Sequence, residues 1–169
     1  MHGNMGGEKM KVYHGGTDIV KHPNCLYGRE NLDFGRGFYI TDIRSQAVSW
    51  AERTTLKRNM KPLLNIYSLD KQQILLTARC KIFTAYDEDW LDFIVDSRLG
   101  KNPAKDFDYV EGGVANDRVV DTVNIYMSGL MDKDIALQRL KLHVPNNQIC
   151  LLNQRLTDKY LVYERTESI

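Results

Sequence analysis

Two aromatic residues, Tyr39 and Trp50, are the first candidates for chemistry in this sequence, because two such rings could hold a planar ligand ring. Tyr39 lies in a short apolar run in which Phe38 and Ile40 share one face of a predicted strand, so the phenol points the other way. Trp50 follows eleven positions later, in a run with helical apolar spacing. This arrangement predicts two aromatics beside one cleft. The alternative is that both are ordinary half-buried core residues.

A histidine, His14, directly precedes a pair of glycines that begins with Gly15, at the end of a strand predicted over residues 10–17. Glycine lets a ligand approach the backbone closely, so the N–H and C=O groups beside the histidine are open to a ligand amide. The alternative is a structural role, because a histidine at a strand end is more often a hydrogen-bonded structural residue than a catalytic one. The strand end is therefore a second candidate binding element.

The composition is that of one globular domain. The 169 residues are 43% hydrophobic and 27% charged, and a net charge of +1 gives no overall attraction to nucleic acid or anionic membrane, although a local basic patch is compatible with it. Cys25, Cys80 and Cys150 lack metal-binding spacing and are expected to be free thiols. No apolar run could span a membrane and no secretory leader is seen, so we expect a cytoplasmic protein without a metal site or membrane contact.

Turn signals divide the chain into short strands and helices that do not alternate regularly. A loose polar tail is expected over residues 1–9, and a single domain over 10–169. Strands are predicted at 10–17, 38–41, 63–69, 74–86, 148–153 and 160–164, and in the run from 106 to the turn at Gly112-Gly113. Helices are predicted after 42, from 87, after a cap at Asn116, and over 133–142. This order predicts an α+β domain with mainly antiparallel strands and flanking helices.

Three stretches, taken in order, resemble known families. They are Tyr13-His14-Gly15-Gly16-Thr17, the run from Asp33 to Thr41, and Gln46-Ala47 followed by Trp50. Together they resemble the diphtheria-toxin-like and poly-ADP-ribose-polymerase-like ADP-ribosyltransferases, which carry a His-Tyr-Glu triad on a split antiparallel sheet. From Met10 onward the chain is also similar to a bacterial family catalogued as domain of unknown function 3990, itself placed among ADP-ribosyltransferase-like folds. That likeness includes residues 109–117, with Asn116 and Asp117, and residues 147–150.

The resemblance implies an NAD site. His14 matches the motif histidine that holds the hydroxyls of the adenosine-side ribose, and the backbone of Gly15 matches the residue that binds the nicotinamide carboxamide. Tyr39 matches the tyrosine under the nicotinamide ring, and Trp50 matches a second aromatic of diphtheria-type toxins. Gln148 falls where the catalytic glutamate normally stands. The implied catalytic set is therefore His14, Tyr39 and Gln148, with NAD as the substrate.

The glutamine is a departure from the family pattern, and it bears directly on the chemistry. Breaking the nicotinamide–ribose bond develops positive charge on the ribose, which a glutamate would stabilise. Glutamine keeps the reach towards the ribose 2′-hydroxyl but has no charge to offer. Glu111, Glu164 and Glu52 are the alternative carboxylates, and Glu52 is disfavoured because it lies about 200° round the helix from Trp50.

The resemblance implies an NAD-dependent ADP-ribosyltransferase that acts on a protein or nucleic-acid acceptor. Toxins and defence effectors share these motifs, so an antitoxin or immunity partner is a further expectation. Three outcomes stay open: a transferase of restricted acceptor class, a slow enzyme, or a catalytically weakened NAD-binding module. An interaction domain without any NAD site is a fourth, and it would leave Tyr39 and Trp50 packed with no cleft between them.

Overall fold

The computed structural model of the protein describes residues 8–28, 32–115 and 117–169. Within them the chain forms one α+β domain with two sheets and six α-helices. The strands are β1 (Met10–Gly16), β2 (Phe38–Ile40), β3 (Leu63–Leu69), β4 (Cys80–Ile82), β5 (Tyr109–Gly113), β6 (Asn147–Leu151) and β7 (Leu161–Ser168). The helices are α1 (Arg44–Arg58), α2 (Lys71–Thr77), α3 (Glu88–Arg98), α4 (Asp117–Met127), α5 (Lys133–Leu140) and α6 (Gln154–Tyr160).

The strands are divided between a three-stranded and a four-stranded sheet. The first sheet has the order β1-β3-β7 and is antiparallel throughout. The second has the order β2-β6-β5-β4 and is antiparallel except where β4 pairs with β5. The prediction of a single α+β domain with mainly antiparallel strands is confirmed.

The two sheets meet where β1 passes β2. Among the described residues, one isolated backbone bridge, between Tyr13 and Thr41, joins the strands. The Tyr13 N–H donates to the Thr41 oxygen at 2.8 Å, and the Thr41 N–H donates to the Tyr13 oxygen at 3.0 Å. The next residues in register, Gly15 and Tyr39, are not part of a ladder between these strands, so β1 and β2 separate there.

Alternate side chains of β6 enter two different hydrophobic cores, as the period of a strand requires. Cys150 enters a core formed largely by α3, α4 and α5, in which Trp90 is fully buried. Ile149 and Leu151 enter a second core on the opposite face, which they share with Tyr67 of β3. The four-stranded sheet is therefore covered on both faces, and β6 is fixed in register by its neighbours β2 and β5.

Helix α1 lies directly against β1 at Gly15. A Cβ atom built on Gly15 would lie 1.8 Å from the backbone oxygen of Ala47, so only glycine permits this approach. Ala47 and Ala51, which are both fully buried, form the small-residue face that the helix turns towards the strand. This packing sets the distance between α1 and the point where β1 and β2 separate.

The structure differs from the prediction in several connecting segments. The run 74–86 was predicted as a strand, but residues 71–77 form α2 and only Cys80–Ile82 is a strand. The reason is local, because the Asp70 side chain accepts a hydrogen bond from the Gln73 N–H and so caps a helix. Helix α1 also extends through the basic run to Arg58, and α6 lies in a segment without a predicted element. The predicted cap Asn116 and most of the 1–9 tail lie outside the described residues.

No helix in the described part of the chain is both long and apolar enough to cross a membrane.

Candidate functional site

A cleft of about 1310 Å³ opens where β1 and β2 separate. Its walls are the segment after β1, the second half of α1, and β2, with His14 and Tyr39 both in its lining. Pockets of about 300–1,000 Å³ suffice for ligands of drug size, so this cleft has room for a dinucleotide. The structure therefore brings two of the predicted site residues, His14 and Tyr39, to one cavity.

The imidazole of His14 bridges the separating strands. Its Nδ1 lies 2.8 Å from the backbone oxygen of Tyr39, and its ring stacks on Phe38 with centroids 4.5 Å apart. A carbonyl oxygen can only accept, so Nδ1 carries the proton and Nε2 of the neutral ring is an acceptor. Burial lowers the pKa of His14, which the hydrogen bond to Tyr39 only partly opposes. A neutral ring with a free lone pair suits a ligand hydroxyl.

The hydroxyl of Tyr39 is turned away from solvent and held by the loop before β2. It donates to the Gly35 oxygen at 2.5 Å and accepts from the Phe34 N–H at 3.1 Å. Gly35 has a φ of 89°, a conformation that favours glycine. Burial raises the pKa of Tyr39 far above its usual value, so the phenol stays neutral. The hydroxyl is therefore committed to this loop, and the side chain packs against the core that Cys150 enters.

The segment that follows β1 is fixed as a wall of the cleft by one buried amide, that of Asn65 in β3. Its Nδ2 donates to the backbone oxygen of Asp18 at 2.9 Å, and its Oδ1 accepts from the Val20 N–H at 3.0 Å. Tyr67 donates to the Val20 oxygen at 2.5 Å, and Thr166 of β7 donates to Asn65 Oδ1 at 2.8 Å. Sequence reasoning missed this role, although a polar residue in an otherwise apolar strand was a usable signal.

The charge of the cleft is strongly one-sided. Its described lining includes the cations Lys21, Arg53, Lys57 and Arg58, and a single acidic residue, Asp18. The chain as a whole has a net charge of only +1, so these cations are a local concentration. A cationic cleft raises the local concentration of anionic ligands such as phosphates.

Gly15 is needed for the packing of α1 on β1, and its backbone also faces the gap between β1 and β2. In an antiparallel strand the N–H and C=O of alternate residues face the same edge. The backbone groups of Tyr13 face β2, where they bond Thr41, so those of Gly15 face the same side where the strands have separated. The backbone of Gly15 is therefore positioned where it could contact a ligand amide, and this contact stays a prediction.

Trp50 does not line this cleft. It lies half-buried in a second depression of about 250 Å³, between the first half of α1 and the ends of β5 and β6, beside Ala115 and Asn146. Arg53 lines both depressions and so marks where they adjoin. The structure therefore places Tyr39 and Trp50 in neighbouring depressions, and the predicted sandwich of one ring between them stays a prediction.

Gln148 is buried in β6 and is not part of the cleft lining. Only 5% of the residue is exposed, and its Nε2 has no hydrogen-bond partner among the described residues. Its place in β6, two residues before Cys150, puts its side chain on the face of the sheet that Tyr39 also occupies, because Cys150 is the partner of Tyr39. A buried amide without a partner is costly and so marks an unusual position.

Residues 10–163 match the model of a family described as protein of unknown function, DUF3990. The chain belongs to the DUF3990 family. The match runs from the first residue of β1 into β7 and so includes both sheets and both walls of the cleft. A comparison of this DUF3990 domain with curated proteins finds no match.

The alternative carboxylates of this DUF3990 domain lie away from the cleft. Glu111 is 6% exposed on the opposite face of β5, where it accepts hydrogen bonds from Lys71, Tyr109 and Asn147, each at 2.8 Å. Glu164 lies in β7 and accepts from the Ser68 hydroxyl at 2.5 Å, and Glu52 is exposed on α1. The side chain of Asp117 lies outside what the structure describes. Among the described residues, no three His, Cys, Asp or Glu side chains cluster as a metal site requires.

Proposed function

We propose that this DUF3990 domain binds NAD in the cleft between β1 and β2 and transfers ADP-ribose to an acceptor. The observation that carries the proposal is the junction of His14 and Tyr39 at the floor of a cationic cleft. The proposal includes an ADP-ribosyltransferase-like fold. Two mainly antiparallel sheets, joined among the described residues by one backbone bridge, suit the split sheet of those enzymes. The motifs that resemble those enzymes lie on the same elements.

Each part of NAD has a matching group in this proposal. The Nε2 lone pair of His14 accepts from a ribose hydroxyl, since Nδ1 is already committed to Tyr39. The N–H and C=O of Gly15 pair with the nicotinamide carboxamide, as a further strand would. The ring of Tyr39 packs against the nicotinamide, and cations such as Lys21 and Arg53 attract the pyrophosphate.

The reaction breaks one bond and makes one. The bond between the ribose C1″ and the nicotinamide nitrogen breaks, and its electron pair leaves with a neutral nicotinamide. An acceptor oxygen or nitrogen forms the new bond to C1″ and loses its proton to solvent or to a base. The protein's contribution is to hold NAD so that C1″ is open to the acceptor while the leaving ring stays stacked.

Gln148 supplies no charge to the positive ribose in this scheme. Its Nε2, which has no partner among the described residues, lies on the same face as Tyr39. In this scheme the side chain turns towards the gap and the amide bonds the ribose 2′-hydroxyl. We expect an enzyme whose transition state is stabilised less than with a carboxylate. The resulting rate is low, and the reaction depends on the right acceptor.

A second candidate function is NAD binding without transfer. The observation that favours it is again Gln148, which is uncharged, 5% exposed and absent from the described lining of the cleft. In this case the domain would recognise NAD or an ADP-ribose group and release no nicotinamide. The same binding groups would serve, because His14, Gly15 and Tyr39 act on the bound dinucleotide and not on the bond that breaks.

The experiment is incubation of the protein with adenylate-labelled NAD and a bacterial lysate, with nicotinamide measured in parallel. We expect nicotinamide release together with a labelled product, whose nature follows from its sensitivity to nuclease or protease. His14→Ala should abolish both signals, whereas His143→Ala is the matched control, because His143 lies after α5 and outside the described lining of the cleft. NAD binding without any nicotinamide release would favour the binding module instead, and no binding at all would reject both.

A further inference from the structure

We propose that the exposed face of α1 that joins the two depressions binds single-stranded nucleic acid, and that this strand is the acceptor of ADP-ribose. The acceptor role rests on the proposed transferase function, whereas the binding does not. The groove in question is formed by the cleft and the second depression, which adjoin at Arg53.

Helix α1 presents an aromatic residue followed by cations along one stripe. Trp50, Arg53 and Lys57 are spaced by three and four residues, so they lie on one face of the helix. At a rise of about 1.5 Å per residue the stripe extends roughly 10 Å. Trp50 belongs to the second depression, Lys57 to the main cleft, and Arg53 to both. A groove that combines a stacking ring with successive cations is the pattern that binds single strands.

Cations line both walls of the cleft. Besides Arg53, its described lining contains Lys21, Lys57 and Arg58, and one acidic residue, Asp18. Within the described part of the chain, Lys21, Lys57 and Arg58 form no ion pair. Lys57 and Arg58 are also favourable at the C-terminal end of a helix, because of the helix dipole. The helix dipole does not explain Lys21, which lies on the opposite wall of the cleft. Positive charge distributed along both walls suits a polyanion.

Exposed aromatic surface favours nucleic acid over an acidic protein segment. Tyr27 lines the cleft and is 88% exposed, so its ring is open to a ligand. Trp50 is half-buried in the adjoining depression, with Ser45 and Gln46 beside it. Rings at two places along a cationic groove can stack on bases while the cations bind phosphates, and the faces of bases are open only in a single strand.

This placement puts an acceptor beside the proposed NAD site. A base nitrogen or a sugar or phosphate oxygen of the strand would attack C1″ of NAD as nicotinamide leaves, and its proton, where it has one, would pass to solvent. Arg53 would then contact both substrates, since it lines both depressions. The geometry accordingly favours an acceptor that approaches along α1 from the side of Trp50.

The test is fluorescence anisotropy with labelled single strands of about 12 nucleotides, RNA and DNA separately, in the absence of NAD. We expect binding that weakens steeply between about 50 and 200 mM salt. Lys57→Gln with Arg58→Gln should weaken it tenfold or more at low salt and flatten the salt dependence. The matched control is Lys105→Gln with Lys141→Gln, which removes two exposed lysines outside the described lining of both depressions.

Tyr27 supplies a test that does not depend on charge. Tyr27→Ala should weaken oligonucleotide binding several-fold, and Tyr27→Phe should retain it, because stacking needs the ring alone. No binding of either strand at low salt, or an equal loss in the control double variant, would overturn the proposal. So would labelling by NAD that is confined to protease-sensitive material. Since the binding measurement contains no NAD, its failure is distinct from a failure to release nicotinamide.

Discussion

The Nδ1 atom of His14 donates to the backbone oxygen of Tyr39 across 2.8 Å, just beyond the last backbone bridge between β1 and β2. One side chain thereby replaces the hydrogen bond that a continued ladder would have formed there. The two sheets are held together while the strands separate far enough to admit a ligand. The same bond fixes the tautomer that leaves Nε2 as an acceptor.

The first prediction concerns this link. His14→Ala should lower the free energy of unfolding by about 1–3 kcal/mol, because it removes the bond to Tyr39 and the stacking on Phe38. It should also weaken NAD binding at least tenfold if Nε2 holds a ribose hydroxyl. Urea unfolding and an NAD titration measure the two effects separately. Wild-type NAD affinity in the folded variant would remove His14 from the binding site.

A second prediction follows from the lowered pKa of His14. The unfolded histidine has a pKa of about 6.5, so as the pH falls through this value the unfolded chain takes up a proton before the folded one. The difference in pKa therefore destabilises the fold as the pH falls below about 6.5 and has no effect on stability above it. Comparing wild type with His14→Asn by thermal unfolding between pH 7.5 and pH 5.5 isolates the effect. The variant should show the shallower dependence, and parallel curves would contradict the burial of a neutral ring.

The third prediction separates the ring of Tyr39 from its hydroxyl. Tyr39→Phe should cost about 1–3 kcal/mol of stability, because the Phe34 N–H and the Gly35 oxygen both lose their partner. Its effect on NAD affinity should be small, since the ring face is kept. Tyr39→Ala should instead weaken NAD binding tenfold or more through lost stacking. If the two variants bind NAD equally well, the ring does not contact nicotinamide.

The fourth prediction tests Gln148 as a group that acts in the transition state. Gln148→Ala should lower kcat about 100-fold with little change in NAD affinity, and Gln148→Glu should raise NAD hydrolysis in the absence of an acceptor. Gln72→Ala, on the exposed side of α2, is the matched control. Thermal unfolding of Gln148→Ala is measured alongside, because truncating a side chain that is 5% exposed leaves a cavity. Full transfer activity in Gln148→Ala would exclude it from the catalytic set and make Asp117 the next carboxylate to test.

The fifth prediction uses two adjacent glycines as test and control. Gly15→Ala should destabilise the fold by about 1–3 kcal/mol or prevent folding, because the new methyl would meet the Ala47 oxygen. Gly16→Ala should be tolerated, since its nearest neighbour would be His14 Nε2 at 3.6 Å, an ordinary contact. Circular dichroism and thermal unfolding of the two variants suffice. Equal stability would mean that α1 can shift away from β1.

The sequence predicted those parts of the fold that depend on local periodicity. The alternation of Phe38, Tyr39 and Ile40 placed the tyrosine correctly on the face opposite its neighbours, because a strand has a period of two. The strand predicted over residues 74–86 was wrong except at Cys80–Ile82, because the cap at Asp70 outweighed the apolar composition of the run that follows. Such competition between a cap and a β-rich run is decided by a few tenths of a kcal/mol per residue.

The site was less accessible from sequence, because its geometry depends on contacts between distant residues. Asn65 meets Thr166 across 101 positions, and no local pattern reveals that pair. The rotation of α1, which turns Trp50 into the second depression, is set by how Ala47 packs on Gly15. Gln148 was placed correctly at the start of a strand, but its burial follows from the sheets and helices around it.

The bond between Thr166 and Asn65 bears on how the domain can be dissected. The family match ends at residue 163, three positions before Thr166. A fragment trimmed to that boundary would retain β1, β2 and α1 but lose the hydroxyl that helps to orient the Asn65 amide, which positions Asp18 and Val20. Such a fragment could give a normal circular dichroism spectrum and still have a loosened cleft wall. Activity lost on trimming would then report on the C-terminal strand and not on the catalytic residues.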